Sequence, residues 1–69
     1  MRVRSMVKIN GIEISAVGVS LEEYLKEHEY DPKRVAVEIN GSIIKREEFK
    51  KIVFSVGDIV EIVCFVGGG

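Results

Sequence analysis

Few side chains in this sequence could combine into a catalytic group. His28 is the single histidine and Cys64 the single cysteine, and neither has an evident partner for nucleophilic catalysis. His28 ends the apolar face of a predicted helix, where a packed or half-exposed structural position near the helix C-terminus is expected. Cys64 lies in the last predicted strand, where a small buried thiol is the ordinary expectation. The sequence therefore predicts no active site within the chain itself.

The sequence does not indicate a metal or cofactor site either. The acid pairs Glu22–Glu23 and Glu47–Glu48 lie on solvated segments with no third ligand in register. A single cysteine excludes an internal disulfide and a Cys-based zinc site. No glycine-rich loop joins a strand to a helix, so no phosphate cradle is predicted. We expect no bound metal or cofactor.

The C-terminus is the exception, because an apolar strand runs directly into Gly67, Gly68 and Gly69. Such a segment can be a frayed end without function. It can also extend by about 3.3–3.6 Å per residue, which carries a terminal carboxylate about 10 Å beyond the fold. Without a Cβ, Gly67 and Gly68 could thread a narrow channel in a partner, and the α-carboxylate of Gly69 would react there. We expect residues 67–69 to be mobile in the free protein.

Two hairpins are predicted from paired runs of alternating apolar residues. Each pair is joined by an Asn-Gly turn, which needs positive φ at both positions. The turns are Asn10–Gly11 and Asn40–Gly41; the strands are residues 6–9 with 12–14, and residues 35–39 with 42–45.

One helix is predicted between the hairpins. Ser20 is a candidate N-cap, and Glu23 three residues later completes a capping box. The apolar positions at helical spacing are Leu21, Tyr24, Leu25 and His28. The helix should end before Asp31–Pro32, since the residue before proline avoids the α region. Residues 46–51 are expected to form one short helical turn that buries Phe49.

The predicted order is two strands, the helix, two strands, a short connection and a final strand over residues 59–66. Seven of the eight residues in that strand are apolar, which places it in the middle of the sheet. One helix across a mixed sheet of about five strands is an α+β roll, here a single domain over residues 1–69. Shared inward parity predicts the core: Val7, Ile9, Ile12, Ile14, Leu21, Leu25, Val35, Val37, Ile39, Val60 and Ile62.

The last strand also predicts an apolar patch beside the glycines. Alternation places Glu61 on the solvated face, and Ile59, Val63 and Phe65 share that face. Exposed apolar side chains next to a reactive terminus suggest a surface where a partner docks. The alternative is that the connection around Phe49 covers them.

The amino-acid composition argues against some classes of partner. The 69 residues carry 10 Lys or Arg and 11 Asp or Glu, a net charge of −1, so there is no basic excess to favour nucleic acid. The longest apolar run is five residues, which predicts no membrane segment. Absence of disulfides favours the cytoplasm.

Charge is unevenly distributed along the chain. Residues 13–31 hold six acids and one base, whereas residues 33–51 hold six bases and three acids. This asymmetry could steer docking, or the two segments could simply be solvated faces.

Several segments occur in one order along the chain: Asn10–Gly11, Val35–Gly41, Ile43–Arg46, Gly57–Val63 and Val66–Gly69. Together they resemble the ThiS sulfur-carrier family of thiamine biosynthesis, over nearly the whole chain from Met6 onward. The resemblance implies a β-grasp fold, which the family shares with ubiquitin.

The resemblance also implies chemistry at Gly68 and Gly69. In the family, an E1-like partner, ThiF, uses ATP to adenylate the terminal carboxylate, and sulfur originating from cysteine converts it to a thiocarboxylate. A sulfurtransferase or cysteine desulfurase would supply the sulfur, and thiazole synthase, ThiG, would take it to build the thiazole of thiamine. The chain would then be a protein cosubstrate and not an enzyme. Many members end in two glycines, so Gly67 is either part of the inserted tail or a hinge.

Three other functions stay open from the residues alone. A MoaD-like carrier would deliver sulfur to molybdopterin by the same chemistry. A ubiquitin-like modifier would be joined through Gly69 to lysines of other proteins. A plain β-grasp binding module would have an inert tail.

Overall fold

The computed structural model describes residues 6–65. Val66, predicted to end the last strand, and residues 67–69, predicted to be a mobile tail, lie outside the described residues. Within the described range, no helix is long and apolar enough to cross a membrane.

Both predicted hairpins are confirmed. Strand β1 (Val7–Ile9) pairs with β2 (Ile12–Ile14), and β3 (Val35–Ile39) pairs with β4 (Ser42–Ile44). The connecting residues take left-handed backbone angles, with φ of 52° at Asn10 and 84° at Gly11, and 53° and 87° at Asn40 and Gly41. Asparagine tolerates this region and glycine occupies it without strain, so the Asn-Gly pairs fix both registers.

The helix α1 (Leu21–Glu27) begins where its cap predicts. The Glu23 backbone N–H donates to Ser20 Oγ at 3.0 Å, which satisfies one amide of the first turn. The helix ends before Asp31, whose side chain accepts from the Lys33 N–H and caps a 3₁₀ helix at Pro32–Arg34. The second charged segment, Arg46–Lys51, is also a 3₁₀ helix and buries Phe49 as predicted.

The five strands form one mixed sheet in the order β2-β1-β5-β3-β4. Strand β5 (Ile59–Cys64) lies at the centre, parallel to β1 and antiparallel to β3. This confirms the central position predicted from its apolar composition. The C-terminal end of β5 therefore lies in the middle of the sheet and not at an edge.

The apolar core lies between the sheet and α1, and most of the predicted members are buried in it. The buried core consists of Val7, Ile9, Ala16, Leu21, Tyr24, Leu25, Val35, Val37, Phe49, Phe54, Val60 and Ile62. Ile14 and Ile39 pack partly buried against it. Ile12 was predicted to be buried, and this is wrong, because it is 65% exposed. It has inward parity, but it lies on the edge strand next to the Asn10–Gly11 turn, at the margin of the core.

Phe54 is a core residue that periodicity does not predict. Its side chain is 1% exposed and meets the Tyr24 ring edge-on, with centroids 5.8 Å apart. Backbone hydrogen bonds hold it in place, because the Phe54 N–H donates to Val19 O and the Gly18 N–H donates to Phe54 O. The connection after the second 3₁₀ helix thus pairs with the segment before α1 and places an aromatic ring under the helix.

Candidate functional site

The C-terminal end of β5 is the structural base of the predicted tail. Phe65 is the last described residue, and its N–H donates to Arg34 O at 2.7 Å. This bond continues the β3–β5 ladder by one residue past the pair formed by Val35 and Cys64. The chain is therefore held against β3 up to the point where the last four residues begin.

The predicted docking patch is exposed. Ile59, Val63 and Phe65 have 52%, 54% and 57% of their surface accessible. Ile59 and Val63 lie on the sheet face opposite the core, because their neighbours Val60 and Ile62 are buried. The alternative, that the Phe49 connection covers this patch, is wrong: Phe49 is part of the core, on the other side of the sheet. Whether a partner binds the patch stays a prediction.

Two residues on the neighbouring strands, Ile43 and Glu38, extend this face beyond the predicted patch. Ile43 on β4 is 78% exposed, the highest value among the exposed large apolar residues. It lies opposite Glu38 on β3, and Glu38 lies opposite Glu61 on β5. A shallow groove of about 140 Å³ runs across these strands, lined by Ala36, Val37, Glu38, Ile43, Glu61 and Val63. The doublet Ile43–Ile44 carries the missed signal, because one residue of such a doublet must point away from the core.

Two asparagines anchor β5 through their side chains. Asn10 Oδ1 accepts from the Ile62 N–H at 2.8 Å, and Asn10 Nδ2 donates to Ile62 O at 3.3 Å. Its amide thus takes the place of a peptide group where β1 has already ended. Asn40 Oδ1 accepts from the Ile59 N–H at 2.9 Å, and its Nδ2 donates to Asp58 Oδ1. Both turns therefore hold the central strand as well as reversing the chain.

The side chains considered for catalysis do not form a site. Cys64 was predicted to be buried, and this is wrong, because it is exposed at the last position of β5, where the core layer ends. His28 caps the C-terminus of α1, exposed, with its ring 4.2 Å from that of Tyr24. Within residues 6–65, no three His, Cys, Asp or Glu side chains come together to hold a metal ion.

The surroundings of Tyr24 change the pKa of its hydroxyl. Burial raises the pKa of its hydroxyl above 10.0, and charge on Tyr30 raises it further. The ring lies in the core, between Phe54 and His28. The raised pKa is thus a consequence of how this ring packs.

Comparisons with known proteins point to one family over nearly the whole chain. The family model that matches is the ThiS family, over residues 4–69. The sulfur carrier protein ThiS of Bacillus subtilis is 33% identical over 67 residues, which cover 93% of this chain and 100% of that protein. A crystal structure of thiamine biosynthesis protein ThiS from Geobacter metallireducens superposes with a TM-score of 0.73 at 31% identity, covering 93% of this chain and 99% of the other.

Two longer relatives carry a similar region. Thiazole synthases of Paramagnetospirillum magneticum and Magnetococcus marinus are 37% and 34% identical over 62 and 64 residues. Those segments cover 88% and 91% of this chain but only 19% and 20% of the relatives, so the chain spans about a fifth of their length. The family model, the full-length relative and the fold agree: this chain belongs to the ThiS family and has its ubiquitin-like β-grasp fold.

Proposed function

We propose that this protein is a sulfur carrier of thiamine biosynthesis, a protein cosubstrate that partner enzymes act upon in the cytoplasm. The observation that carries the proposal is the similarity to a sulfur carrier protein over that protein's entire length. The described residues support it, since an exposed apolar sheet face lies beside the end of β5, where a partner could dock. The chemistry is then expected at the chain terminus.

The proposed reaction takes place at the carboxylate of Gly69. One carboxylate oxygen attacks the α-phosphorus of ATP in an E1-like, ThiF-like enzyme, and pyrophosphate leaves. The terminal sulfur of a persulfide on a sulfurtransferase or cysteine desulfurase then attacks the acyl carbon, and AMP leaves. A second thiol attacks the enzyme sulfur of the resulting acyl disulfide, so that the S–S bond breaks, the terminus leaves as a thiocarboxylate and the two thiols remain joined as a disulfide. ATP belongs to the activating enzyme, and this chain needs no cofactor of its own.

In this proposal, the glycines allow the tail to enter a narrow channel in the partner enzyme. A Cβ at Gly67 or Gly68 would widen the tail by a methyl group or more, and a channel matched to a bare backbone would reject it. From Phe65, four residues extend about 13–14 Å at most. A partner that reaches Gly69 must therefore come close to Phe65 and Val63, which supports the docking role of the exposed patch.

Thiazole synthase is the proposed recipient of the sulfur. Two relatives that contain a region similar to this chain are named thiazole synthase. A carrier region within such a chain fits delivery of sulfur to thiazole formation. The MoaD-like alternative would use the same terminus for a different acceptor, and a protein modifier would form an amide with lysine.

Intact-mass analysis separates these functions. The purified chain is incubated with cell extract, ATP and cysteine. We expect a mass increase of one sulfur replacing one oxygen, located at the terminus by fragmentation, and loss of that sulfur when thiazole synthase and its substrates are added. Lysine-linked adducts on other proteins would contradict the carrier function and indicate a modifier. Discharge by molybdopterin synthase but not by thiazole synthase would indicate the MoaD-like function.

A further inference from the structure

The outer face of the sheet, opposite the core, contains a pair of acidic residues that does not stabilise the fold. Glu38 and Glu61 lie directly opposite each other on neighbouring strands, where Cβ atoms are about 4.5–5.5 Å apart. Glu38 is half-buried, and neither carboxylate has a hydrogen bond or ion pair within residues 6–65. Like charges placed in this way destabilise a sheet. The free protein thus carries a repulsion at the centre of its sheet.

Apolar side chains lie next to the acid pair. Exposed Ile43 lies opposite Glu38 on β4, exposed Val63 follows Glu61 by two residues on β5, and Ala36 lies opposite Val63 in the register. The groove among them holds about 140 Å³. A long cationic side chain fits this chemistry, because its stem packs on apolar surface while its head meets two carboxylates. A planar guanidinium can donate to both at once, which favours arginine over lysine.

We propose that the groove between Ile43 and Val63 receives an arginine side chain of the adenylating enzyme, and that its guanidinium bridges Glu38 and Glu61. This inference rests on the proposed function for the identity of the partner. The arginine is assigned to the adenylating enzyme because the two enzymes differ in how they meet a carrier region. Two relatives carry the corresponding region within a chain named thiazole synthase, where covalent linkage supplies proximity. An adenylating enzyme must find the carrier in solution, where complementary charge raises the rate of encounter.

The test compares two double variants with equal loss of charge. Glu38→Gln with Glu61→Gln removes the acid pair in the groove. Glu47→Gln with Glu48→Gln removes an exposed acid pair from the second 3₁₀ helix and is the matched control. Dissociation constants for the purified adenylating enzyme and for thiazole synthase are measured at low and moderate salt, with KM and kcat for ATP–pyrophosphate exchange.

We expect the groove variant to bind the adenylating enzyme about tenfold more weakly, with a reduced salt dependence and an unchanged kcat. The control should bind like the wild type. Glu61→Lys sharpens the test, because it should raise Tm by pairing with Glu38 and still lose binding. This combination excludes misfolding as the cause of weaker binding.

Three binding results would each overturn the inference: unchanged affinity in the groove variant, an equal loss in the control, or a loss confined to thiazole synthase. A concentration-dependent dimer that the groove variant abolishes would assign the face to a second copy of this chain and would also overturn it. The proposed function would survive each of these results as long as removal of Gly69 abolishes exchange.

Discussion

At the scale of single residues, Asn10 does more than an Asn-Gly turn requires. The turn needs its φ of 52°, but not the two hydrogen bonds that its side-chain amide makes to the Ile62 backbone. The turn could be predicted from the dipeptide, because local backbone preference determines it. The bond to Ile62, 52 positions along the chain, depends on where β5 lies and could not be predicted.

Replacing Asn10 by Asp should destabilise the fold by about 1–3 kcal/mol, because a carboxylate cannot donate to Ile62 O and places its charge beside that carbonyl. Asn10→Gly is the control, since it keeps the left-handed turn and lacks both side-chain bonds. Urea unfolding followed by circular dichroism measures the two variants. Wild-type stability in both would show that the amide contributes nothing.

Tyr24 links stability to alkaline pH. Its pKa is raised above 10.0 in the folded state by burial and by Tyr30, so above about pH 10 the unfolded chain releases this proton more readily than the native one. The stability due to the neutral hydroxyl is present below pH 10 and is lost as pH rises through the folded pKa. Tyr24→Phe keeps the ring and should lose less stability between pH 9 and 11 in thermal unfolding. Identical slopes would contradict the shift.

At the scale of elements, prediction succeeds where the signal is local. Ser20 and Glu23 fix the start of α1, and the two Asn-Gly turns fix the hairpins. Parity failed at Ile12, because alternation shows which face a residue takes but not how far the core layer extends. Alternation also failed to identify Phe54 as a core residue. The connection that contains Phe54 has no periodic pattern, and pairing with residues 18–21 orders it.

Phe54→Ala should cost about 3–5 kcal/mol, because it removes a fully buried ring from the core. A chain of this length is stabilised by roughly 3–10 kcal/mol, so the variant should lose much of its stability. Phe65→Ala is the matched control, since that ring is 57% exposed, and should change stability by no more than about 0.5 kcal/mol. Equal effects in urea unfolding would show that Phe54 is not part of the core.

At the scale of the molecule, β5 has one side in the core and one side exposed. Its inner residues Val60 and Ile62 pack in the core, while Ile59, Val63 and, one residue after the strand, Phe65 present an apolar surface. The predicted patch could be placed by alternation along one strand. Ile43 and Glu38 could not, because they join it only through the pairing of β4 with β3 and β3 with β5.

Docking and reaction should therefore separate by mutation. Val63→Asp should weaken binding of the adenylating enzyme by about 1–3 kcal/mol if this side chain anchors the interface. Gly68→Val should leave binding measurable and slow activation, because a branched side chain obstructs a narrow channel. Isothermal titration and exchange kinetics on both variants measure this separation. A loss of binding in Gly68→Val equal to that in Val63→Asp would contradict it.

The central claim is that the carboxylate of Gly69 is the reacting group. Its most direct test is ATP–pyrophosphate exchange by the adenylating enzyme with a chain that lacks Gly69. The fold should be unchanged, because residues 6–65 contain the whole observed core, and the shortened chain should still bind its partner. The account predicts that exchange is abolished. Exchange at the wild-type rate would show that activation does not require the carboxylate of Gly69, and would contradict the central claim.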